Sequence, residues 1–143
     1  MSSFVLDASV AAKWMLPAQG EPLRDEAFRL LDAYGAGEVD LLVPDIFWAE
    51  CGNIVWKAVR QRRLARINAE LVLSSILRRH IATVPSTKLL ADAVSIAIDS
   101  GRSVYDCLYL ALAAETKMQL ITADEHLANA LAARYPIKWL GAY

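Results

Sequence analysis

Short, almost uninterrupted apolar runs alternate along the chain with longer segments of helical periodicity, and this pattern restricts the fold more than any other feature. The runs are residues 4–6, 41–43, 81–84, 120–122 and 137–140. Helical patterns begin at about residue 9 and then cover residues 22–34, 44–62, 68–80, 86–99, 103–117 and 124–134. Strands of a parallel sheet are continuously apolar because helices cover both faces. The sequence therefore predicts an α/β fold, a three-layer α/β/α sandwich with a short central parallel sheet, in one domain spanning residues 1–143.

Individual residues indicate where several of these helices begin and end. Pro44 suits the first turn of a helix, since its missing N–H group would have no partner there. Asn68 and Ser103 are residue types that cap helix N-termini, and Gly101 is typical of a helix end. These four positions predict the ends of four of the helices.

Four acidic residues lie where the sequence is apolar or where a strand gives way to a helix. Asp7 and Asp124 follow the predicted strands 4–6 and 120–122, whereas Glu50 and Asp106 lie in apolar helical sequence. Ligands of open parallel sheets bind at the carboxyl ends of the strands, so Asp7 and Asp124 are at the expected place. Two ionised carboxylates about 4 Å apart repel by about 4 kcal/mol at an effective dielectric constant of about 20. If the four acids cluster, they must hold a cation, bind protons or stay hydrated.

Structural roles are also possible for these acids. Asp7 and Asp124 could each cap the helix that follows, and Asp106 could complete a capping box with Ser103. Glu50 lies about two turns inside its helix, which is too deep for capping. Its alternative role is an ion pair with Lys57, although a spacing of seven residues is long for such a pair.

The residue types in this set indicate the chemistry. Carboxylate oxygens without a nearby histidine or cysteine favour Mg²⁺ or Mn²⁺ over zinc, and His80 and His126 lack zinc-ligand spacing. Phosphate-binding and dinucleotide-binding glycine motifs are absent from the sequence, and Ser9 and Ser103 lack a nucleophile elbow. An acidic metal site without a nucleophile motif indicates hydrolysis of phosphodiesters by an activated water.

Composition and charge bear on possible partners. Hydrophobic residues make up 56% of the chain, which is enough for a full core and leaves an excess for an interface with a second copy or another protein. The chain has a net charge of −1, yet residues 57–88 carry about +7. This basic segment suits a polyanion near a metal site, although a solvated helical face would give the same pattern. Its basic residues are Lys57, Arg60, Arg62, Arg63, Arg66, Arg78, Arg79 and Lys88.

The cysteines and the hydropathy pattern predict a cytoplasmic protein. Cys51 and Cys107 lie in apolar helical sequence without a C-x-x-C partner, which favours buried free thiols and a reducing compartment. Asp7 and Lys13 interrupt the apolar sequence near the N-terminus, so a signal peptide is not expected. The sequence also contains no uncharged apolar run of about 20 residues, the length needed to span a bilayer.

Four segments resemble the sequence motifs of PIN-domain nucleases, in the same order along the chain. They are VLDAS at 5–9, PDIFWAE at 44–50 with its continuation to Asn53, SVYDCLYLALA at 103–113 and LITAD at 120–124. The branch that the chain resembles most is that of the VapC-type toxins of toxin–antitoxin pairs. The resemblance implies a PIN-like, Rossmann-like fold and a Mg²⁺- or Mn²⁺-dependent endoribonuclease. It further implies a homodimer that a small antitoxin protein inhibits.

The same resemblance assigns roles to residues. Asp7 and Asp106 are expected to be the main metal ligands, and Glu50 and Asp124 to complete the catalytic site. The expected supporting residues are Ser9, Asn53 and Thr122. A non-catalytic RNA- or protein-binding PIN module and a DNA-directed nuclease of the same fold remain the alternatives.

Aromatic residues suggest two further contacts. Trp14 or Tyr105 could stack on a base, although core packing is the more common role. An amphipathic tail of an antitoxin is expected to lie in an apolar groove lined by the helix that carries Phe47, Trp48 and Trp56.

Overall fold

Five parallel strands form the centre of the computed structural model, which describes residues 2–143. The strands are β1 (Ser2–Leu6), β2 (Val39–Pro44), β3 (Ala82–Val84), β4 (Gln119–Thr122) and β5 (Ile137–Trp139). Their order across the sheet is β3-β2-β1-β4-β5. The predicted parallel sheet is thereby confirmed.

Within residues 2–143, seven α-helices connect and cover the strands. They are α1 (Ala8–Met15), α2 (Arg24–Gly35), α3 (Ile46–Arg60), α4 (Arg66–Leu77), α5 (Leu90–Ser100), α6 (Val104–Thr116) and α7 (Glu125–Leu131). Helix α1 contacts α2, α3 and α4, whereas α5 packs mainly against α6. Helix α6 also contacts β1, β2 and β4, so it lies across the centre of the sheet.

The order of the strands creates one point where the direction of winding reverses. From β1 the chain adds β2 and β3 on one side, then returns to place β4 and β5 on the other. The reversal lies between β1 and β4, where Leu6 is in register with Ile121. In open parallel sheets this switch point is where loops diverge and leave a crevice at the carboxyl ends of the strands.

Burial shows that both faces of the central strands are covered. Phe4, Val5 and Leu6 follow one another in β1 and are each no more than 7% exposed, although successive side chains point to opposite faces. The segment from Cys107 to Ala113 in α6 is likewise buried without interruption, as expected of a helix enclosed on all sides. The three-layer arrangement follows from this two-sided burial.

The predicted helix ends were right at Gly101 and Ser103 and wrong at Pro44 and Asn68. Gly101 adopts a left-handed conformation after α5, with φ of 75°, and the Ser103 side chain caps α6. Pro44 is instead the last residue of β2, in register with Val84. A proline fits a strand end as well as a helix start, because in both places its missing N–H group need not be paired. Asn68 lies within α4, two residues after that helix begins.

Both cysteines are free and fully buried, as predicted. Among residues 2–143, none of the helices has the length and apolar character required to cross a bilayer.

Candidate functional site

Asp7, Glu50, Asp106 and Asp124 line one pocket of about 580 Å³ at the switch point between β1 and β4. Each acid comes from a different part of the chain. Asp7 follows β1 and Asp124 follows β4, while Glu50 projects from α3 and Asp106 from the first turn of α6. The fold thus brings together four carboxylates that are separated by up to 117 positions in the sequence.

Hydroxyl groups from α1 and β4 fix the Asp7 carboxylate. Its Oδ2 accepts hydrogen bonds from Ser9 Oγ at 2.6 Å and from Thr122 Oγ1 at 2.7 Å. The hydroxyl oxygens in turn accept backbone N–H groups, from Ala123 at 3.0 Å for Ser9 and from Asp124 at 3.1 Å for Thr122. Since each hydroxyl gives its single hydrogen to Asp7, the 3.3 Å contact between Ser9 and Thr122 is not a further bond. The network ties the loops after β1 and β4 together around one carboxylate oxygen.

The capping alternatives have different outcomes. Asp7 occupies the position before α1, but its side chain makes no capping hydrogen bond. Asp124 does cap α7, since its Oδ1 accepts the Leu127 N–H at 3.1 Å. The Ser103 hydroxyl accepts the Asp106 N–H at 3.2 Å, which is one half of a capping box. A capping role therefore accounts for part of Asp124 and for none of Asp7.

Glu50 is held by a residue that the sequence did not single out. Its Oε1 accepts a hydrogen bond from Tyr109 Oη at 2.5 Å, and Tyr109 is 2% exposed. Lys57 makes no ion pair with Glu50 within residues 2–143, so that alternative is wrong. Tyr109 lies three residues after Asp106 in α6, on the same face of the helix. This spacing is the sequence signal that could have identified it.

The surroundings of Asp7 oppose its ionisation. Burial raises its pKa, while the hydrogen bonds from Ser9 and Thr122 partly offset that rise. The nearby negative charges of Asp106 and Asp124 raise the pKa further. A positive charge close to Asp7 would therefore stabilise its ionised form.

Two other acids are perturbed in the same direction. Burial raises the pKa of Glu50, against the hydrogen bond from Tyr109, and the charges of Asp7 and Asp106 add to the rise. Burial also raises the pKa of Asp106, and the positive charge of Arg102 partly offsets it. Tyr109 itself has its pKa raised by burial and by the Asp7 and Glu50 carboxylates, so the phenol remains a hydrogen-bond donor. Acids crowded in this way are typical of functional sites.

The donor set suits a hard divalent cation that keeps part of its water shell. Within residues 2–143, no three acidic, histidine or cysteine side chains are arranged to enclose an ion directly. Mg²⁺ requires no such cage, because it commonly binds through one or two carboxylates and retains several waters. Asp7 has its Oδ2 fixed by hydroxyl groups and its Oδ1 without a hydrogen bond from residues 2–143. The mutual repulsion of the acids and their oxygen-only chemistry both fit such an ion.

Basic side chains line the same pocket. Lys57 and Arg63 come from the basic segment identified in the sequence, and Lys13 comes from α1. Lys13 and Arg63 both pair with Glu21, which lies in the loop between α1 and α2. Lys13 and Glu21 were missed by sequence reasoning because they lie far from the basic segment.

The remaining basic residues of the segment do not share this location. Arg78 and Arg79 follow α4 and precede β3, so they lie towards the amino ends of the strands. Neither of them lines the acidic pocket. The structure therefore divides the basic segment, and only part of it faces the four acids.

Three other candidate residues have different surroundings. Asn53 lines the pocket and is exposed, but within residues 2–143 no hydrogen bond joins it to the four acids. Trp14 packs against the core and donates its Nε1–H to the Ala27 carbonyl at 2.7 Å, as expected of a core residue. Tyr105 is 63% exposed beside Asp106, so the expectation of core packing was wrong for it.

Comparison with known proteins agrees with this geometry. The sequence model of the PIN domain matches residues 4–131. Ribonuclease VapC3 from Pyrobaculum aerophilum is 30% identical to this chain over 127 residues, which are 87% of this chain and 92% of that protein.

Solved structures share the fold at low sequence identity. The crystal structure of PAE2754 from Pyrobaculum aerophilum covers 99% of this chain and 85% of its own, with a TM-score of 0.70 and 20% identity. A toxin–antitoxin complex from Klebsiella pneumoniae covers 94% of this chain and 95% of its own, with a TM-score of 0.60 and 16% identity. The match over residues 4–131 and the relationship to VapC3 show that the chain belongs to the PIN-domain family and to its VapC-type members.

Proposed function

We propose that this protein is a metal-dependent endoribonuclease that hydrolyses RNA phosphodiester bonds, as the toxin of a toxin–antitoxin pair. One observation carries the proposal: four carboxylates from four separate elements line a single pocket at the switch point of the sheet. Two further findings support it, namely the 30% identity to a protein named as a ribonuclease and the absence of a nucleophile motif in this sequence. We further propose that residues 1–143 form one domain, since a single sheet runs through residues 2–143.

Asp7 and Asp106 are the proposed main ligands of Mg²⁺ or Mn²⁺, with Glu50 and Asp124 completing the site. When bound, such an ion lowers the pKa of an attacking water and neutralises charge on the leaving oxygen. The raised pKa of Asp7 is consistent with this role, because burial and neighbouring carboxylates leave it without a compensating positive charge.

The surrounding residues have defined tasks in this proposal. Ser9 and Thr122 hold Asp7 Oδ2, which orients the carboxylate. Tyr109 holds Glu50 Oε1 and keeps that carboxylate turned to the pocket rather than to bulk solvent. Positioning of this kind matters because small displacements of a reacting group reduce rates strongly. Asn53, which also lines the pocket, is a proposed polar contact for the substrate or a bound water.

Cleavage of RNA tests this function directly. We expect the purified protein to cut single-stranded RNA with Mg²⁺ or Mn²⁺ and to lose this activity in a chelator. Asp7→Asn should abolish cleavage with the fold retained, since it removes the charge of the carboxylate that Ser9 and Thr122 hold in the pocket. Asp40→Asn is the matched control, because Asp40 is an exposed acid near the start of β2, where it pairs with Ser3 and is remote from the pocket.

The outcomes distinguish this function from its alternatives. Mapping the fragment ends from total cellular RNA would identify the cut site. A DNA oligonucleotide of the same sequence as a cleaved RNA tests the DNA-directed alternative. Binding of RNA without any cleavage, together with no thermal stabilisation by Mn²⁺, would instead support a non-catalytic module.

An apolar groove between α3 and α4 is the proposed docking site of the antitoxin. It measures about 780 Å³ and is lined by Trp56, Val59 and Ile67, with Arg66 and Glu70 among the charged residues. Trp56 is 54% exposed and Ile67 is 88% exposed, which is unusual for side chains of this size. The groove is suited to the apolar face of an amphipathic helix. Its location agrees with the predicted helix, although Phe47 is buried and Trp48 lies outside the groove.

A second exposed apolar surface, on α5, is the proposed homodimer interface. Leu90, Val94 and Ile98 recur every four residues, and their exposed fractions are 47%, 40% and 77%. Tyr105 on the neighbouring α6 is exposed as well. A stripe of this kind can pair with its own copy about a two-fold axis, because the same patch serves both subunits.

Reciprocal variants separate the two surfaces. Ile98→Asp should convert a dimer to a monomer in light scattering, and Ile67→Asp should leave the dimer intact. Ile67→Asp should instead reduce the affinity of the protein for its antitoxin. Both side chains are highly exposed, so neither change should disturb the core. A dimer that survives Ile98→Asp would contradict the proposed interface.

A further inference from the structure

A nearly buried glutamate joins two basic side chains at the edge of the acidic pocket. Glu21 Oε2 accepts Lys13 Nζ at 2.9 Å, and Glu21 Oε1 accepts Arg63 Nη2 at 2.8 Å. The Glu21 side chain is 8% exposed, that of Lys13 12% and that of Arg63 34%. All three residues line the same pocket as the four acids.

The charges in this cluster do not balance. Two cations share one carboxylate, so the cluster carries a net charge of +1, and each oxygen of Glu21 already has a partner. Burial favours protonation of Glu21, but the hydrogen bonds and charges of Lys13 and Arg63 prevail and lower its pKa. Lys13 retains two N–H donors and Arg63 four, which Glu21 leaves unused. Because both basic side chains line the pocket, their unused donors are available to an anionic ligand there.

Backbone geometry fixes the cluster from both sides. Arg63 N–H donates to the Ala58 carbonyl at 2.9 Å, in a turn where Arg62 adopts a φ of 60°. Glu21 N–H donates to the Ala18 carbonyl at 3.2 Å, and the neighbouring Gly20 has a φ of 79°. The two basic groups are therefore held in place before any ligand arrives. Preorganisation of this kind lowers the entropic cost of binding.

We propose that Lys13 and Arg63, positioned by Glu21, form a subsite for a phosphate of the RNA backbone adjacent to the phosphate that is cleaved. The proposal rests on the ribonuclease function proposed above and adds the way the strand is held. A single basic partner for Glu21 would be enough to anchor the loop between α1 and α2. Glu21 instead pairs with two, Lys13 and Arg63. In this arrangement the four acids bind the metal ion at the cleaved phosphate, and Lys13 and Arg63 bind the next phosphate of the same RNA strand.

Binding without cleavage tests the subsite. The probe is a short fluorescein-labelled single-stranded RNA of defined sequence, and Asp7→Asn serves as the background protein in a chelator. Adding Arg63→Gln or Lys13→Gln should weaken binding about tenfold, the scale of one charge-assisted hydrogen bond. Each change should also reduce the slope of log K against log salt by about 0.7, the value for one phosphate contact on a single strand. Arg78→Gln removes the same charge outside the pocket and should alter neither quantity.

A neutral linkage in the RNA tests Glu21 as a positioning residue. Replacing one phosphate at a time by a methylphosphonate in the Asp7→Asn protein should reveal one linkage whose neutralisation weakens binding most. With Arg63→Gln added, neutralising that linkage should no longer cause a larger loss of RNA affinity than neutralising the others. With Glu21→Ala added, similar losses of affinity should appear at several neighbouring linkages. If Glu21 has a purely structural role, Glu21→Ala should lower the melting temperature but leave the affinity profile across the linkages unchanged. If the double variants fail to fold, the scan of the Asp7→Asn protein alone still tests the subsite, because a flat profile would overturn it.

The results separate this inference from the proposed function. Unchanged affinity and salt slope in Arg63→Gln, or a flat methylphosphonate profile, would overturn the phosphate subsite while leaving RNA cleavage by the wild-type protein unaffected. Loss of the function would instead appear as no RNA cleavage under any divalent ion. Affinity lost equally in Arg63→Gln and Arg78→Gln would show general charge attraction and would likewise overturn the subsite.

Discussion

Replacing Tyr109 by phenylalanine isolates the contribution of one hydrogen bond to stability and activity. The change keeps the ring in the core and removes the hydroxyl that donates to Glu50 Oε1 at 2.5 Å. A hydrogen bond to an ionised group contributes about 1.5–3 kcal/mol, and water can partly replace it because Glu50 is half-buried. We therefore expect a loss of about 1.5 kcal/mol in the free energy of unfolding.

This loss converts to a measurable shift in melting temperature. The entropy of unfolding is about 2.1 cal/mol/K per residue, which for 143 residues gives about 0.3 kcal/mol/K. A decrease of about 5 °C should follow, measured by circular dichroism in a chelator so that no metal binding intervenes. Tyr34→Phe is the matched control, because Tyr34 Oη donates to the Arg79 carbonyl at an exposed position. Its effect should be clearly smaller.

The same substitution should shift the titration of Glu50. The bond from Tyr109 lowers the Glu50 pKa against the effect of burial, so its removal raises that pKa further. Because the bond favours the ionised carboxylate, its stabilisation is present above the Glu50 pKa and decreases as the pH falls through it. The stability difference between wild type and Tyr109→Phe should therefore narrow in acid, and the acidic limb of the activity profile should move to higher pH. Equal melting temperatures and identical pH profiles for the two proteins would refute the role given to Tyr109.

Three further predictions concern the carboxylate network. Thr122→Val should destabilise the fold by about 1–3 kcal/mol in urea denaturation, since Thr122 is fully buried and its loss leaves the Asp124 N–H without its acceptor; a cost near zero would contradict this. Asp124→Asn should keep the α7 cap and near wild-type stability while activity falls, whereas Asp124→Ala should lose both, with a capping cost of about 1 kcal/mol; full activity in Asp124→Asn would argue for a capping role alone. Folding raises the pKa of Asp7 and Asp106, so in a chelator the melting temperature should fall as the pH rises from the unfolded carboxyl range through the raised values, and Asp7→Asn should weaken that dependence; a melting temperature that rises over this interval would show the opposite sign.

Much of the fold could be predicted because the necessary signals are local. Uninterrupted apolar runs separated by helical periodicity indicate a covered parallel sheet, and each strand was located to within a few residues. The errors arose where one residue type suits two conformations. Pro44 is compatible with a strand end and with a helix start, and pairing with Val84, 40 positions away, decided between them.

The sequence alone determined that Asp7 and Asp124 lie at the carboxyl ends of strands, because strand direction and chain order are local properties. Only the tertiary structure decided what surrounds the acids. The bond from Tyr109 to Glu50 joins residues 59 positions apart, and the pair of Arg63 with Glu21 joins residues 42 positions apart. Such contacts depend on how helices pack on the sheet and where loops turn. Those features arise from the summed packing of the whole core, so no local pattern in the sequence records them.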